Sequence, residues 1–156
     1  EGGDSEPVKS ELYHCDWADT SQVKIFVFCN DVERRDGPLT LLSAADSERI
    51  RRHIGYRYGG ARYRVPDERV FDVVDPDRER VMTGEEGTVC LADTSRCFHY
   101  GSRTESTAGL RVAIMYQYVT PTAFLFPPSG YQRSAEYRHL DAPELDRLER
   151  LVLGAV

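Results

Sequence analysis

Apolar residues along this chain fall in short β-branched or alternating runs, separated by polar turns that carry glycine or proline. The strongest run covers residues 22–32, Gln-Val-Lys-Ile-Phe-Val-Phe-Cys-Asn-Asp-Val, and its composition predicts a strand. Weaker runs predict strands over 8–16, 39–42, 70–74, 88–92, 97–100 and 110–120, the last ending before Pro121. Charged or Gly/Pro-bearing turns fall at 33–38, 75–78 and 84–87. Residues 46–53 have helix-forming composition, with Ser or Asp available as a cap. In the tail, Asp141 can cap a helix with Pro143 in its first turn. There Leu145, Leu148, Leu151 and Val152 recur at helical spacing, which predicts one amphipathic helix docked on a β body. Many short strands with turns between them predict a mainly β fold, an all-β barrel or cupin-like double-sheet jelly roll. The helices, one of them C-terminal, are accessories.

Composition narrows the function classes. At 156 residues the chain is expected to form one domain over 1–156. A net charge of −6 argues against nucleic acid as a partner, because phosphate backbones call for a basic face. No apolar run approaches the length of a membrane span, and no secretory signal is visible. The first residue is Glu, which leads us to expect that N-terminal elements are missing. Cys15, Cys29, Cys90 and Cys97 form no Cys-x-x-Cys pair, so a zinc knuckle is not expected. Cys29 and Cys90 lie in apolar runs and are expected to be small buried hydrophobes. Free thiols imply a reducing compartment, the cytoplasm.

The candidate chemistry begins at Leu12-Tyr13-His14-Cys15-Asp16-Trp17. In an extended strand, residues two apart share a face, so His14 and Asp16 can grip one cation together. A neutral imidazole and a carboxylate are two thirds of the 2-His-1-carboxylate triad that holds non-haem Fe(II). His99, in Cys97-Phe-His-Tyr-Gly-Ser102, offers a third ligand from a distant strand. Arg111 follows it by 12 positions in an apolar run, where a buried guanidinium needs an anionic partner. A dicarboxylate co-substrate reaching in from the metal would supply one through a bidentate pair.

In this order the residues resemble the Fe(II)/2-oxoglutarate-dependent dioxygenases, and the phytanoyl-CoA dioxygenase-like branch most of all. The resemblance rests on His14-x-Asp16, the turn Asp36-Gly-Pro-Leu39, the distal His99-Tyr-Gly-Ser-Arg103 and Arg111, and it spans about residues 8–121. It implies a double-stranded β-helix with His14, Asp16 and His99 as the catalytic iron ligands. It implies Arg111 as partner of the far carboxylate of 2-oxoglutarate, with Ser102 adding a hydrogen bond. The cofactors implied are Fe(II), 2-oxoglutarate as co-substrate and O2. The implied reaction is hydroxylation of a small-molecule C–H bond, with succinate and CO2 as co-products. Related halogenases carry a small residue in place of the carboxylate, so Asp16 favours hydroxylation. Three features depart from the branch. Its Pro-Gly-Ser-His is Leu42-Ser-Ala-Ala-Asp46 here, Arg111 has no hydroxyl two positions on, and the N-terminal helices and first strand are short or absent.

Several residues carry two readings. The Arg- and Tyr-rich segment 46–69 suits a lid over an anionic substrate, or a solvated loop. Tyr13 and Trp17 line a pocket or simply pack. Cys15, between two ligands, must point away from them and into a core. His53 and His139 sit in charged stretches and read as solvated. The rival to the oxygenase is a cupin-like or degenerate module that binds a ligand without redox chemistry.

Overall fold

A computed structural model describes residues 9–58, 63–105, 107–120 and 123. The expected C-terminal helix and His139 lie outside the described residues. Over the described residues the fold is mostly β, built of two small antiparallel sheets with few helices. Its strands are β1 (Gln22–Phe28), β2 (Thr40–Leu41), β3 (Arg80–Val81), β4 (Val89–Ala92), β5 (His99–Tyr100) and β6 (Ala113–Val119). One sheet has the order β4-β1-β6 and the other β3-β2-β5.

The second sheet is widened by the segment that carries the sequence's first motif. Tyr13 N–H donates to Val65 O at 3.0 Å and Val65 N–H returns to Tyr13 O at 2.7 Å. His14 N–H donates to His99 O and His99 N–H to His14 O, both at 3.0 Å. Only this part of the expected strand 8–16 is extended; a 3₁₀ turn, Lys9–Glu11, precedes it.

Two helices cover the outer side of this sheet. Helix α1 (Ala44–Ile54) starts where Ser43 Oγ accepts from Asp46 N–H at 3.1 Å. It ends at Gly55, whose left-handed φ of 61° suits glycine. Residues 43–46, which departed from the dioxygenase pattern, are thus the start of this helix. Helix α2 (Asp67–Phe71) corrects the strand expected over 70–74. Acidic residues in its first turn favour the helix, and Val70 packs inward in the core.

The core joins Tyr13, Cys15, Leu42, Ile50, Val65, Val70, Val74 and Phe98. Tyr13 meets Tyr100 edge-on at 4.9 Å, and Tyr56 meets Phe98 at 4.8 Å. Each such buried side chain contributes about 1.5–3 kcal/mol. Tyr13 is therefore a packing residue with its hydroxyl donating to Glu79, and Trp17 is largely exposed. His53 is exposed, as expected of a charged stretch. Cys15 is fully buried, on the face opposite its two neighbours.

The other sheet behaves differently. Alternation puts Gln22, Lys24, Phe26 and Phe28 of β1 on one face, and Val23, Ile25 and Val27 on the other. The latter face continues through Val89 and Leu91 of β4 and Ile114, Tyr116 and Tyr118 of β6. It is largely solvent-exposed, Leu91 reaching 66%. Cys29 is exposed and Cys90 only partly buried, which corrects their placement in the core. Cys29 lies just past the end of β1, beyond the cover of either sheet. All four thiols are free. No helix among the described residues is long and apolar enough to cross a membrane.

One side chain ties α1 to the strand bearing His99. Ser47 Oγ, fully buried, accepts the Phe98 N–H at 2.8 Å. Ser47→Ala should leave that amide unsatisfied and lower stability by about 1–3 kcal/mol, read as a shifted urea midpoint with unchanged slope.

Candidate metal centre

The reciprocal pair of hydrogen bonds puts the His14 and His99 rings side by side, centroids 4.4 Å apart. Asp16 joins them, with its N–H donating to Thr94 O at 2.8 Å. One ligand atom from each of His14, Asp16 and His99 lies within 4.8 Å of the others. Metal–ligand bonds are about 2.0–2.2 Å long, so a small side-chain adjustment brings all three onto one ion.

The rings are oriented for this. His14 Nδ1 is 2.8 Å from Leu12 O, and His99 Nδ1 is 2.9 Å from Cys97 O. A carbonyl only accepts, so each Nδ1 carries the proton and each Nε2 keeps a free lone pair. Those Nε2 atoms lie 3.9 Å and 3.8 Å from the two Asp16 oxygens. Second partners of this kind commonly hold metal-binding imidazoles.

Asp16 carries the charge. Lys24 Nζ, from β1, lies 2.6 Å from Oδ2. The contact is a close ion pair, and Oδ2 itself is shielded from solvent. Burial raises the Asp16 pKa, but charged neighbours and hydrogen bonds from Lys24 and Thr94 outweigh it and hold the carboxyl below its usual range. His99 is neutral near pH 7, so Lys24 is the cation that matters. Burial lowers the His14 pKa, and Arg64 and Lys24 reinforce the shift against Asp16 and the Leu12 carbonyl. Burial, then the neighbouring His14, pushes His99 down to about 4. Two neutral imidazoles and an ionised carboxylate suit a divalent cation.

Arg111 precedes β6 and is half-buried rather than enclosed, since Val112 and Ile114 beside it are exposed. Exposure of those neighbours corrects the expectation of an apolar surround. Burial lowers its pKa, opposed by the charge of Asp36. Its Nη2 lies 3.4 Å from Ser102 Oγ, so the structure brings these two predicted residues together. Ser102 has a left-handed φ of 66°, and its N–H donates to Gly37 O at 3.0 Å. Gly37 itself has φ 65°, and a Cβ there would lie 2.9 Å from Arg103 N, which explains the glycine in the Asp-Gly-Pro turn. Arg103 is engaged elsewhere, with both terminal nitrogens 2.6 Å from Asp67.

The first third of segment 46–69 is α1, with Ile50 in the core and Arg51 and Arg52 paired to Glu48. Tyr56 Oη accepts from Cys15 N–H at 3.0 Å, so the segment also buttresses the ligand strand. Sequence reasoning passed over Lys24 and the place of Arg64. Lys24 had a signal: a cation inside a β-branched run, on the inward face with Gln22 and Phe26.

No family model matches this chain, and no curated protein matches its sequence.

The two imidazoles make stability depend on pH. Unfolded, a histidine protonates near 6.5, whereas folded His99 does so near 4. As pH falls, the unfolded chain takes up the proton first, so stability should fall between about 6.5 and 4 and level off below, by about 3 kcal/mol at most. Urea unfolding in the presence of a chelator at a series of pH values measures this, and His99→Gln should flatten the slope in that window.

Proposed function

We propose that the protein is a non-haem Fe(II)- and 2-oxoglutarate-dependent oxygenase that hydroxylates a C–H bond of a small molecule. The observation that supports it is the convergence of two oriented imidazole Nε2 atoms on the Asp16 carboxylate, 3.9 and 3.8 Å from its two oxygens. Under this reading the two sheets are the walls of a double-stranded β-helix, and the metal site lies at its mouth.

His14, Asp16 and His99 hold the iron, and three protein ligands leave positions open for co-substrate and O2. Bound there, Fe(II) supplies the redox centre at which 2-oxoglutarate and O2 are consumed to succinate and CO2 as the substrate is hydroxylated. The chain's own part is positional. The Leu12 and Cys97 carbonyls fix the imidazole tautomers. Arg111 and Ser102, adjacent near one end of β6, hold the far carboxylate of 2-oxoglutarate by charge-assisted bonds. Asp36, which attracts Arg111, is itself fixed by the N–H groups of Glu33 and Gly109, each 2.8 Å away.

A second reading, a cupin-like binding module without redox chemistry, is favoured by the Lys24–Asp16 pair, because a side-chain cation already neutralises the carboxylate. Anaerobic titration separates the two. The oxygenase should show a weak visible charge-transfer band when Fe(II) and 2-oxoglutarate are both present; loss of the band in Asp16→Ala, and its absence from wild type under the second reading, are the checks. Arg111→Lys keeps the charge but loses the fork, so 2-oxoglutarate affinity should drop about ten- to hundredfold, with Fe(II) affinity little changed.

A further inference from the structure

The metal point carries more positive charge than its ligands explain. Lys24 is only 16% exposed, and the Asp16 carboxylate it meets at 2.6 Å is 19% exposed. Arg64 joins the His14 side of the site through Tyr63. Its guanidinium lies over the Tyr63 ring at 5.0 Å, Nε donates to Tyr63 Oη at 2.7 Å, and the Tyr63 ring packs edge-on against His14 at 6.3 Å. Its Nη1 is buried and has no hydrogen-bond partner among the described residues. Asp16 offsets one of these cations, and neutral imidazoles offset none. A divalent ion at the triad would then leave three positive charges uncompensated in a half-buried site, a costly arrangement unless an anion joins it.

We propose that Lys24 and Arg64 form an oxyanion seat beside the triad, built for the carboxylate of a ligand that also binds the metal. The inference rests on the metal reading above. Lysine suits one half of the seat, because its flexible stem lets the ammonium leave Asp16 when the carboxylate arrives. The move frees Asp16 Oδ2 for the metal and turns a competitor of the cation into a partner of its ligand. Arg64 suits the other half: stacked and tethered on Tyr63, it keeps a buried Nη1 that is unpartnered among the described residues. The seat is distinct from Arg111, which waits beside Ser102.

The test uses the full chain and reads binding rather than turnover. Free Mn(II) is followed by electron paramagnetic resonance, and oxalate is then titrated calorimetrically into the Mn(II)-loaded protein. Oxalate chelates a metal but has no distant carboxylate for Arg111. Lys24→Met should tighten Mn(II) severalfold in the absence of anion, because a competing cation is gone, and should weaken oxalate about tenfold or more. Arg64→Met should weaken oxalate similarly. Lys24→Arg should retain oxalate binding, and imidazole, a neutral metal ligand, should bind all variants alike. Unchanged oxalate affinity in both methionine variants, or weaker Mn(II) binding in Lys24→Met, overturns the seat. Should Lys24→Met fail to fold, Arg64→Met decides alone: unchanged oxalate affinity overturns the seat and a tenfold loss supports it. Absence of Mn(II) binding by wild type overturns the metal reading and the seat with it.

Discussion

The reciprocal backbone bonds between His14 and His99 are the constraint on which the site depends. They join residues 85 positions apart and make them direct neighbours across an antiparallel pair. Everything at the candidate centre follows from that registry. A slip of one residue in either strand would turn its ligand to the opposite face and take a core aromatic, Tyr13 or Tyr100, out of its packing. The opposite registry is guarded by packing, since Tyr13 and Phe98 are fully buried against the helices. The aromatic layer and the ligand pair are thus two faces of one strand pairing.

Charge balance is the second constraint. A carboxylate between two neutral imidazoles stays ionised because Lys24 sits against it. The same proximity sets Lys24 against any metal cation, unless an anion draws the ammonium away. Lys24 comes from the first sheet and Asp16 from the segment paired to the second, so this ion pair also links the two. Gln22, two residues earlier on the same face, ties β1 to β6 and to the turn after β4: its Nε2 donates to Thr94 Oγ1 at 3.0 Å, and its Oε1 accepts from Gln117 at 2.8 Å.

Other features of the site's surroundings have plain physical origins. Arg103, stacked 3.5 Å from the Tyr100 ring centroid and paired with Asp67, braces α2 against β5. Ser43 and Gly55 bound a helix that brings Ile50 to the core and Ser47 to Phe98. Without that helix, the amide preceding His99 would be buried without a partner.

Sequence alone determined the β-rich class, the strand over 22–28, the helix near 44–54 and the glycine turn at 37, because these rest on local propensity and on backbone angles. It also placed His14 and Asp16 on one face, since alternation is a property of two neighbouring residues. It misjudged 70–74, where a short apolar run fits strand and helix equally well and tertiary packing chose the helix. It misjudged Cys29, because an apolar run does not say which of its residues will be covered. That His99 meets Asp16, that Lys24 reaches the same carboxylate and that Tyr63, which holds Arg64, packs against His14 were decided by tertiary structure. These contacts join side chains from separate elements, and their distances depend on registry between strands, which no local pattern encodes.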